Sequence, residues 1–451
     1  TTREATMQLR QWQQEALQNY HACVAQGTDA ILWEATPGAG KTSAALQVVL
    51  HQLQELHRPR ALVVVPTRHL KTQWATAALR VGLHLDSHYT SRRGLSTDYH
   101  GLVLTYQQVA QSPAEYARLA RGAVVILDEI HHAGDGLRWG EALRTTFDGA
   151  AFVLALSGTA FRSDSHTIPF VTYHEGLSRP DYVYSYGRAI EDKVCRSVAF
   201  FTYGGAVSWR EDNTAVSVGF KDELSNGLAA RRLRAALTPT SGWVQGMLAD
   251  AHQMLMETRQ EHPQAAGLLV AADQEHARQL ARALRKVTGV APVLTLSDDN
   301  RASTRIKQFT HSSDPWLVAC NMVSEGVDIP RLRVGVYATT VTTKMYFRQF
   351  IGRLVRLTPQ PAGMQVAYCY LPADARLHQL AEEIEAEQRH VLALHPERGQ
   401  AVAPPDLTGS QADRNEGAQA LFTVEQGGSS SVDAVIVHGS QLALWGEAFT
   451  P

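Results

Sequence analysis

Cysteine is scarce in this chain. Cys23, Cys195, Cys320 and Cys369 lie far apart and form no CxxC pair. This spacing excludes a zinc ribbon and a disulfide-built scaffold and fits a reducing compartment. Long apolar runs are missing as well, none approaching the ~18 residues of a membrane span. Neither a signal peptide nor a basic amphipathic leader opens the sequence at Thr1. Together these absences predict a cytoplasmic protein with no membrane partner. Nor is there an excess of either charge: 42 Lys and Arg against 44 Asp and Glu leave a formal net charge of -2. A grip on a phosphate backbone therefore has to come from a local patch.

The chain has 451 residues, 44% hydrophobic and 19% charged. One hydrophobic core stops growing near ~250 to 300 residues, so more than one lobe is expected. Short aliphatic runs without polar alternation, separated by helical stretches, recur in two sets. The first is Ala30 to Trp33, Ala61 to Val65, Gly101 to Leu104, Val124 to Leu127 and Phe152 to Leu156. The second is Gly267 to Ala271, Val293 to Leu296, Trp316 to Ala319, Val334 to Tyr337 and Val366 to Tyr370. Such runs are strands covered on both faces, and their alternation with helices marks a parallel sheet. The expected fold is α/β, built twice: a first domain over residues 1–195, a second over 196–395 and a linker or tail over 396–451. Cys195 to Tyr203 reads as a connecting strand, and Lys221 to Leu237, Trp243 to His262 and Arg376 to Leu394 read as helices. Pro396 to Gly428 reads as an irregular linker, with a lone strand at Val432 to Val437 beyond it.

The first run leads into Ala35-Thr36-Pro37-Gly38-Ala39-Gly40-Lys41-Thr42 and then an apolar helix. Strand, glycine-rich loop and helix start are the context of a P-loop, although Ala35 stands where the general pattern has glycine. In the nucleotide-binding loop of Thr36, Pro37, Gly38, Ala39 and Gly40, the two glycines would let backbone N–H groups turn toward an anion at the positive end of the helix. Lys41 would meet the β- and γ-phosphates and Thr42 a magnesium ion, so ATP and Mg2+ are the expected cofactors. The run Val124 to Leu127 ends in Asp128-Glu129-Ile130-His131-His132. Open α/β sheets bind ligands at the carboxyl ends of their strands, where Asp128 would hold the metal and Glu129 would deprotonate the attacking water. A surface Asp-Glu pair is the plain alternative for these two taken alone. No further ligand stands at zinc-like spacing from His131 and His132, and His131 reads as a coupling residue.

Together these motifs resemble helicase superfamily 2, in the DExH branch that includes XPB-like and bacterial repair helicases and the motor subunits of type I and type III restriction enzymes. The resemblance spans roughly residues 7–372. It implies two tandem RecA-like P-loop domains with parallel sheets and a short irregular C-terminal segment. It implies an ATPase coupled to translocation on nucleic acid, DNA in preference to RNA. By the same resemblance, Arg10 and Gln13 belong to an adenine-reading element, with the Gln13 amide pairing with the base. Thr67 and Arg68, and Thr105 and Tyr106, are similar to elements that touch a nucleic-acid backbone. Ser157-Gly158-Thr159 is similar to a coupling motif, with Ala160 where the family usually has proline. In the second lobe Gly326 and Asp328 of the EGVDIP segment would approach the ribose or the bound nucleic acid. Gln349, Arg353 and Arg356 of QFIGRLVR would act in catalysis, the two arginines sharing one helical face and reaching the γ-phosphate. No PD-(D/E)xK nuclease cluster is found, so a restriction or phage-defence motor subunit, partnered by a nuclease or by repair or defence proteins, stands as the alternative to a helicase acting by itself.

Overall fold

A computed structural model of the chain describes residues 9–90, 92–134, 137–159, 168–211, 214–296, 301–320, 329–358 and 365–394. The expected linker, the lone strand at 432–437, and Gly326 and Asp328 lie outside the described residues. The chain divides into two compact units, Thr1–Ala189 and Ile190–Pro451. Among the described residues no helix is long and apolar enough to cross a membrane.

In the first unit the strands are β1 (Ala30–Ala35), β2 (Ala61–Val65), β3 (Leu85–Asp86), β4 (Gly101–Thr105), β5 (Val124–Leu127), β6 (Phe152–Ser157), β7 (Tyr173–His174), β8 (Leu177–Ser178) and β9 (Tyr182–Tyr184). Seven of them form one sheet in the order β3-β4-β2-β5-β6-β1-β9, parallel throughout. Every residue of β2, β4, β5 and β6 is buried. Burial on both faces is why those runs carry no polar alternation. The four helices that bear on the site are α1 (Gln11–Ala25), α2 (Lys41–Gln54), α3 (Arg68–Leu79) and α4 (Tyr106–Gln111). Because β5, β6 and β1 are parallel neighbours, the segments that follow them emerge side by side at the carboxyl ends of the strands. The short β9 was not expected from sequence. It extends the sheet beyond β1, pairing Trp33 with Tyr182 and Ala35 with Tyr184.

The second unit holds β10 (Ser197–Tyr203), β11 (Ala206–Glu211), β12 (Thr214–Gly219), β13 (Ala266–Ala271), β14 (Val293–Thr295), β15 (Trp316–Cys320), β16 (Leu332–Ala338) and β17 (Val366–Pro372). Six of these make a sheet in the order β10-β17-β16-β13-β15-β14, again parallel. The expected α/β architecture with parallel sheets is thus present twice. The hairpin of β11 and β12 was not foreseen. It delays the helix expected from Lys221, which runs from Asn226 to Ala236. Asp222 turns the chain ahead of that helix by accepting a hydrogen bond from Gly219 N at 2.6 Å. Helix Lys344–Leu354 lies against β16, where Gly335 leaves it room: a Cβ there would overlap Leu354 Cδ1. Tyr337 of β16 meets the rings of Phe347 and Phe350 edge-on, at 5.3 and 5.2 Å between centroids.

Candidate active site

The loop between β1 and α2 is shaped by two residues that a side chain would strain. Gly38 has φ 86° and Gly40, which caps α2, has φ 94°; both are left-handed conformations that glycine adopts without steric cost. Thr36 N donates to Tyr184 O at 3.0 Å, tying the loop to β9. No side chain caps the first turn of α2, and that turn contains no acidic residue. Its backbone N–H groups and positive dipole end suit an anion.

Helix α1 supports the loop. Arg10 Nη1 donates to Ala39 O at 2.6 Å, Trp12 Nε1 to the same oxygen at 3.3 Å, and Gln13 Nε2 to Gly40 O at 3.0 Å. Gln13 Oε1 accepts from Arg10 N at 2.9 Å, so both ends of the amide are engaged. The structure therefore places Arg10 and Gln13 against the P-loop backbone. Trp12 stacks on Tyr184 at 4.8 Å and 15°, completing this support.

Three segments converge on Glu129. It has φ 50°, an uncommon left-handed conformation for a residue with a side chain. Its Oε1 accepts from Lys41 Nζ at 3.1 Å and its Oε2 from Gly158 N at 3.3 Å. Gly158 lets the segment approach closely: a Cβ would stand 3.3 Å from both Lys41 Nζ and Pro37 Cγ, so these neighbours would have to give slightly. His131 Nδ1 lies 3.7 Å from Glu129 Oε2 and 3.4 Å from Ser157 Oγ. Ser157 Oγ donates to Thr159 O at 2.7 Å. His131 and Ser157 thus form a polar chain between the carboxylate and the segment after β6.

Asp128 is buried at the end of β5. Trp74 Nε1 donates to its Oδ2 at 2.7 Å, and Tyr106 Oη donates to its carbonyl oxygen at 2.9 Å. Burial pushes the Asp128 carboxyl above the usual carboxylate range, and the adjacent Glu129 charge pushes it further. Burial acts in the same direction on Glu129, yet the ammonium of Lys41 and the imidazole of His131 hold that carboxyl well below its ordinary value. Two carboxylates beside one lysine leave an excess negative charge at a buried position, a setting that a divalent cation relieves. Among the described residues no group of three or more His, Cys, Asp or Glu side chains converges to hold a metal. Magnesium that completes its shell with water and substrate phosphates asks for only one or two protein oxygens, and the carboxylate of Asp128 and hydroxyl of Thr42 fit that demand.

The remaining candidates are placed as follows. Thr67 caps α3, its Oγ1 accepting from Leu70 N at 3.5 Å, and Arg68 is exposed at the first position of that helix. Thr105 caps α4 in a reciprocal box with Gln108. Tyr106, expected at a nucleic-acid backbone, is 2% exposed with its hydroxyl engaged on Asp128. In the second unit Gln349 and Arg353 lie on helix Lys344–Leu354. Arg356 does not share their helical face: the helix is capped by Val355, and Arg356 pairs with Cys195 in an isolated antiparallel bridge. Arg196 fixes this exit from the helix, its N–H donating to Val355 O at 2.7 Å and its guanidinium to Arg356 O. Sequence reasoning missed Trp74. A buried indole N–H requires an acceptor, but the sequence does not say which one it finds.

The profile of the type III restriction enzyme res subunit family matches residues 6–162. Over 96% of its length the chain is 41% identical to the uncharacterized protein Rv2917 of Mycobacterium tuberculosis, covering 72% of that protein. It is 23% identical to the DNA 3'-5' translocase XPB2 of Sulfurisphaera tokodaii, over 77% of this chain and 79% of that protein. Among solved structures, the fragment of a putative HsdR subunit of a type I restriction enzyme from Vibrio vulnificus shares the fold at a TM-score of 0.56 and 19% identity. That likeness covers 82% of this chain and 65% of the fragment. By its relation to the mycobacterial protein the chain belongs to that protein's family, and its P-loop, Asp-Glu strand end and Ser-Gly-Thr segment, drawn together at the carboxyl ends of adjacent strands, with the res-subunit match over residues 6–162, make it similar to the helicases of superfamily 2.

Proposed function

We propose that the chain is an ATP-hydrolysing motor that moves along nucleic acid, DNA in preference to RNA, in the presence of magnesium. The observation that carries this reading is the meeting of Lys41, Glu129 and Gly158, from three separate motifs, within hydrogen-bond distance. A carboxylate held ionised beside a phosphate-binding lysine is the arrangement that hydrolysis of a phosphoanhydride needs. Backbone N–H groups of Gly38, Gly40 and the first turn of α2, with the ammonium of Lys41, bind the triphosphate. As a phosphate takes the ammonium, Glu129 is released to orient a water. The water oxygen forms a bond to the γ-phosphorus, the bond from that phosphorus to the bridging oxygen breaks, and the water's proton passes to Glu129. Thr42 and Asp128 would hold magnesium, which neutralises phosphate charge. His131, Ser157 and Thr159 link this carboxylate to the segment after β6.

To Gln349, Arg353 and Arg356 we assign the stabilisation of charge that develops on the transferring phosphate, and to Gly326 and Asp328 an approach to ribose or nucleic acid. Thr67, Arg68 and Thr105 form the proposed contact with a nucleic-acid backbone, while Tyr106 supports Asp128. Small hydroxyls and an exposed guanidinium suit contacts that ignore sequence. The proposed domain limits remain 1–195, 196–395 and 396–451, the last a linker or tail.

A second reading, a motor subunit of a restriction or defence assembly, is favoured by the res-subunit profile and the HsdR-like fold. Co-purification with a nuclease or methyltransferase distinguishes it. The backbone grip common to both readings is tested by titrating labelled single-stranded DNA at rising salt. Affinity is expected to fall by about tenfold or more between ~50 and ~200 mM through counterion release. An affinity that ignores salt would contradict the grip.

A further inference from the structure

Asp128 is held from two directions, by side chains of the helices that follow Thr67 and Thr105. Helix α3 begins at Arg68, directly after Thr67, and carries Trp74 on its buried side. Trp74 is 1% exposed and donates its indole N–H to Asp128 Oδ2 at 2.7 Å. The loop after β4 places Thr105 at the start of α4, followed by Tyr106, whose hydroxyl donates to the main-chain oxygen of the same aspartate at 2.9 Å. The two helices are also joined to each other. Lys71 Nζ of α3 donates to Gln108 Oε1 at 3.0 Å, and that oxygen also accepts from Thr105 N at 3.0 Å.

A carboxylate swings easily about its last torsion, where the energy wells are broad. One charge-assisted hydrogen bond on Oδ2 fixes that swing, and a second bond on the carbonyl fixes the backbone that carries it. A displacement of α3 or of the loop at Thr105 therefore moves an oxygen of Asp128. We propose that Trp74 and Tyr106 are positioning residues through which the loops at Thr67-Arg68 and Thr105 set the attitude of Asp128, so that a nucleic-acid strand seated on those loops improves the aspartate's hold on a divalent cation. This rests on the reading of the chain as a nucleic-acid-stimulated ATPase and adds the route by which the stimulation travels. Trp74 and Tyr106 touch neither ATP nor water in this scheme; they act through Asp128.

The test uses Trp74→Phe, which keeps an aromatic ring and loses the N–H, and Tyr106→Phe, which loses one oxygen and keeps the ring. Mn2+ binding is measured by electron paramagnetic resonance on the full chain with a non-hydrolysable ATP analogue, with and without single-stranded DNA. ATPase stimulation by the same DNA is measured in parallel. In the wild type, DNA tightens Mn2+ binding. Trp74→Phe is expected to weaken Mn2+ binding about tenfold, the low end for partners that orient a metal-holding carboxylate. Tyr106→Phe, which removes a neutral hydrogen bond, is expected to weaken it about threefold. Both variants lose most of the tightening by DNA, while DNA affinity measured without divalent metal stays within about twofold of wild type; with Mn2+ present, DNA affinity falls by the same factor as the lost tightening. Unchanged Mn2+ affinity and unchanged DNA response in folded Tyr106→Phe, beside a stimulated wild type, overturn the inference alone. A wild type whose ATPase ignores every nucleic acid overturns the functional reading on which the inference stands.

Discussion

Glu129→Gln is expected to cut ATP turnover by about 10² to 10⁴-fold, the usual worth of a positioned general base, while ATP binds within about threefold of wild type. The asymmetry follows from the two roles the carboxylate plays. Its Oε1 accepts from Lys41 at 3.1 Å and its Oε2 from Gly158 N at 3.3 Å. An amide of the same length retains an oxygen for one of these donors. It cannot take a proton from water at neutral pH, nor balance the lysine's charge. Binding through the backbone of Gly38, Gly40 and the first turn of α2 and through Lys41 is left intact. Steady-state ATPase and equilibrium nucleotide binding, measured on the same preparation, decide it. A variant that hydrolyses ATP at the wild-type rate would remove Glu129 from the base position.

Arg356→Ala is expected to lower kcat by about 10³-fold and to leave ATP affinity within about threefold, since a guanidinium that meets charge only as it develops acts on the transition state. The local structure sharpens the choice of this residue. Arg356 lies beyond helix Lys344–Leu354, bridged to Cys195 and with its carbonyl held by Arg196. Its backbone is thus fixed within the second unit by Cys195 and Arg196, and truncating its side chain leaves those main-chain bonds in place. Single-turnover hydrolysis compared with nucleotide binding separates the two effects. Equal losses in rate and affinity would make Arg356 a phosphate-binding residue of the ground state.

The sheets were legible because a strand buried on both faces must be apolar along its whole length, as Val124–Leu127 and Ala61–Val65 are. Edge and accessory strands escape this logic. β9 is three residues with only one fully buried, and the hairpin β11-β12 pairs outside either main sheet. Chain spacing also misjudged the helix bearing Arg353. Its periodicity runs through Arg356, but hydrogen bonds from Arg196, far away in sequence, end it at Leu354. At the site, strand-loop-helix grammar pointed to Lys41, and the acidic end of a buried strand pointed to Glu129. That the two are 3.1 Å apart is a fact of three adjacent strands, which sequence order does not display. The amide of Gln13 shows the same limit: its chemistry was readable, but its partners, Gly40 O and Arg10 N, depended on how α1 docks behind the loop. Trp74 was hidden for a related reason, since its helical position marks a core residue and only tertiary structure supplies Asp128 as the acceptor.

The measurement that tests the central claim most directly is the rate of ATP hydrolysis with magnesium, in the absence of nucleic acid and with single-stranded DNA, double-stranded DNA, RNA and forked duplexes. A nucleic-acid-driven motor predicts a low basal rate, stimulation of about tenfold or more, the typical range of coupling between two sites on one protein, and a stronger response to DNA than to RNA. A rate that stays the same with every nucleic acid, or no hydrolysis at all, would contradict it.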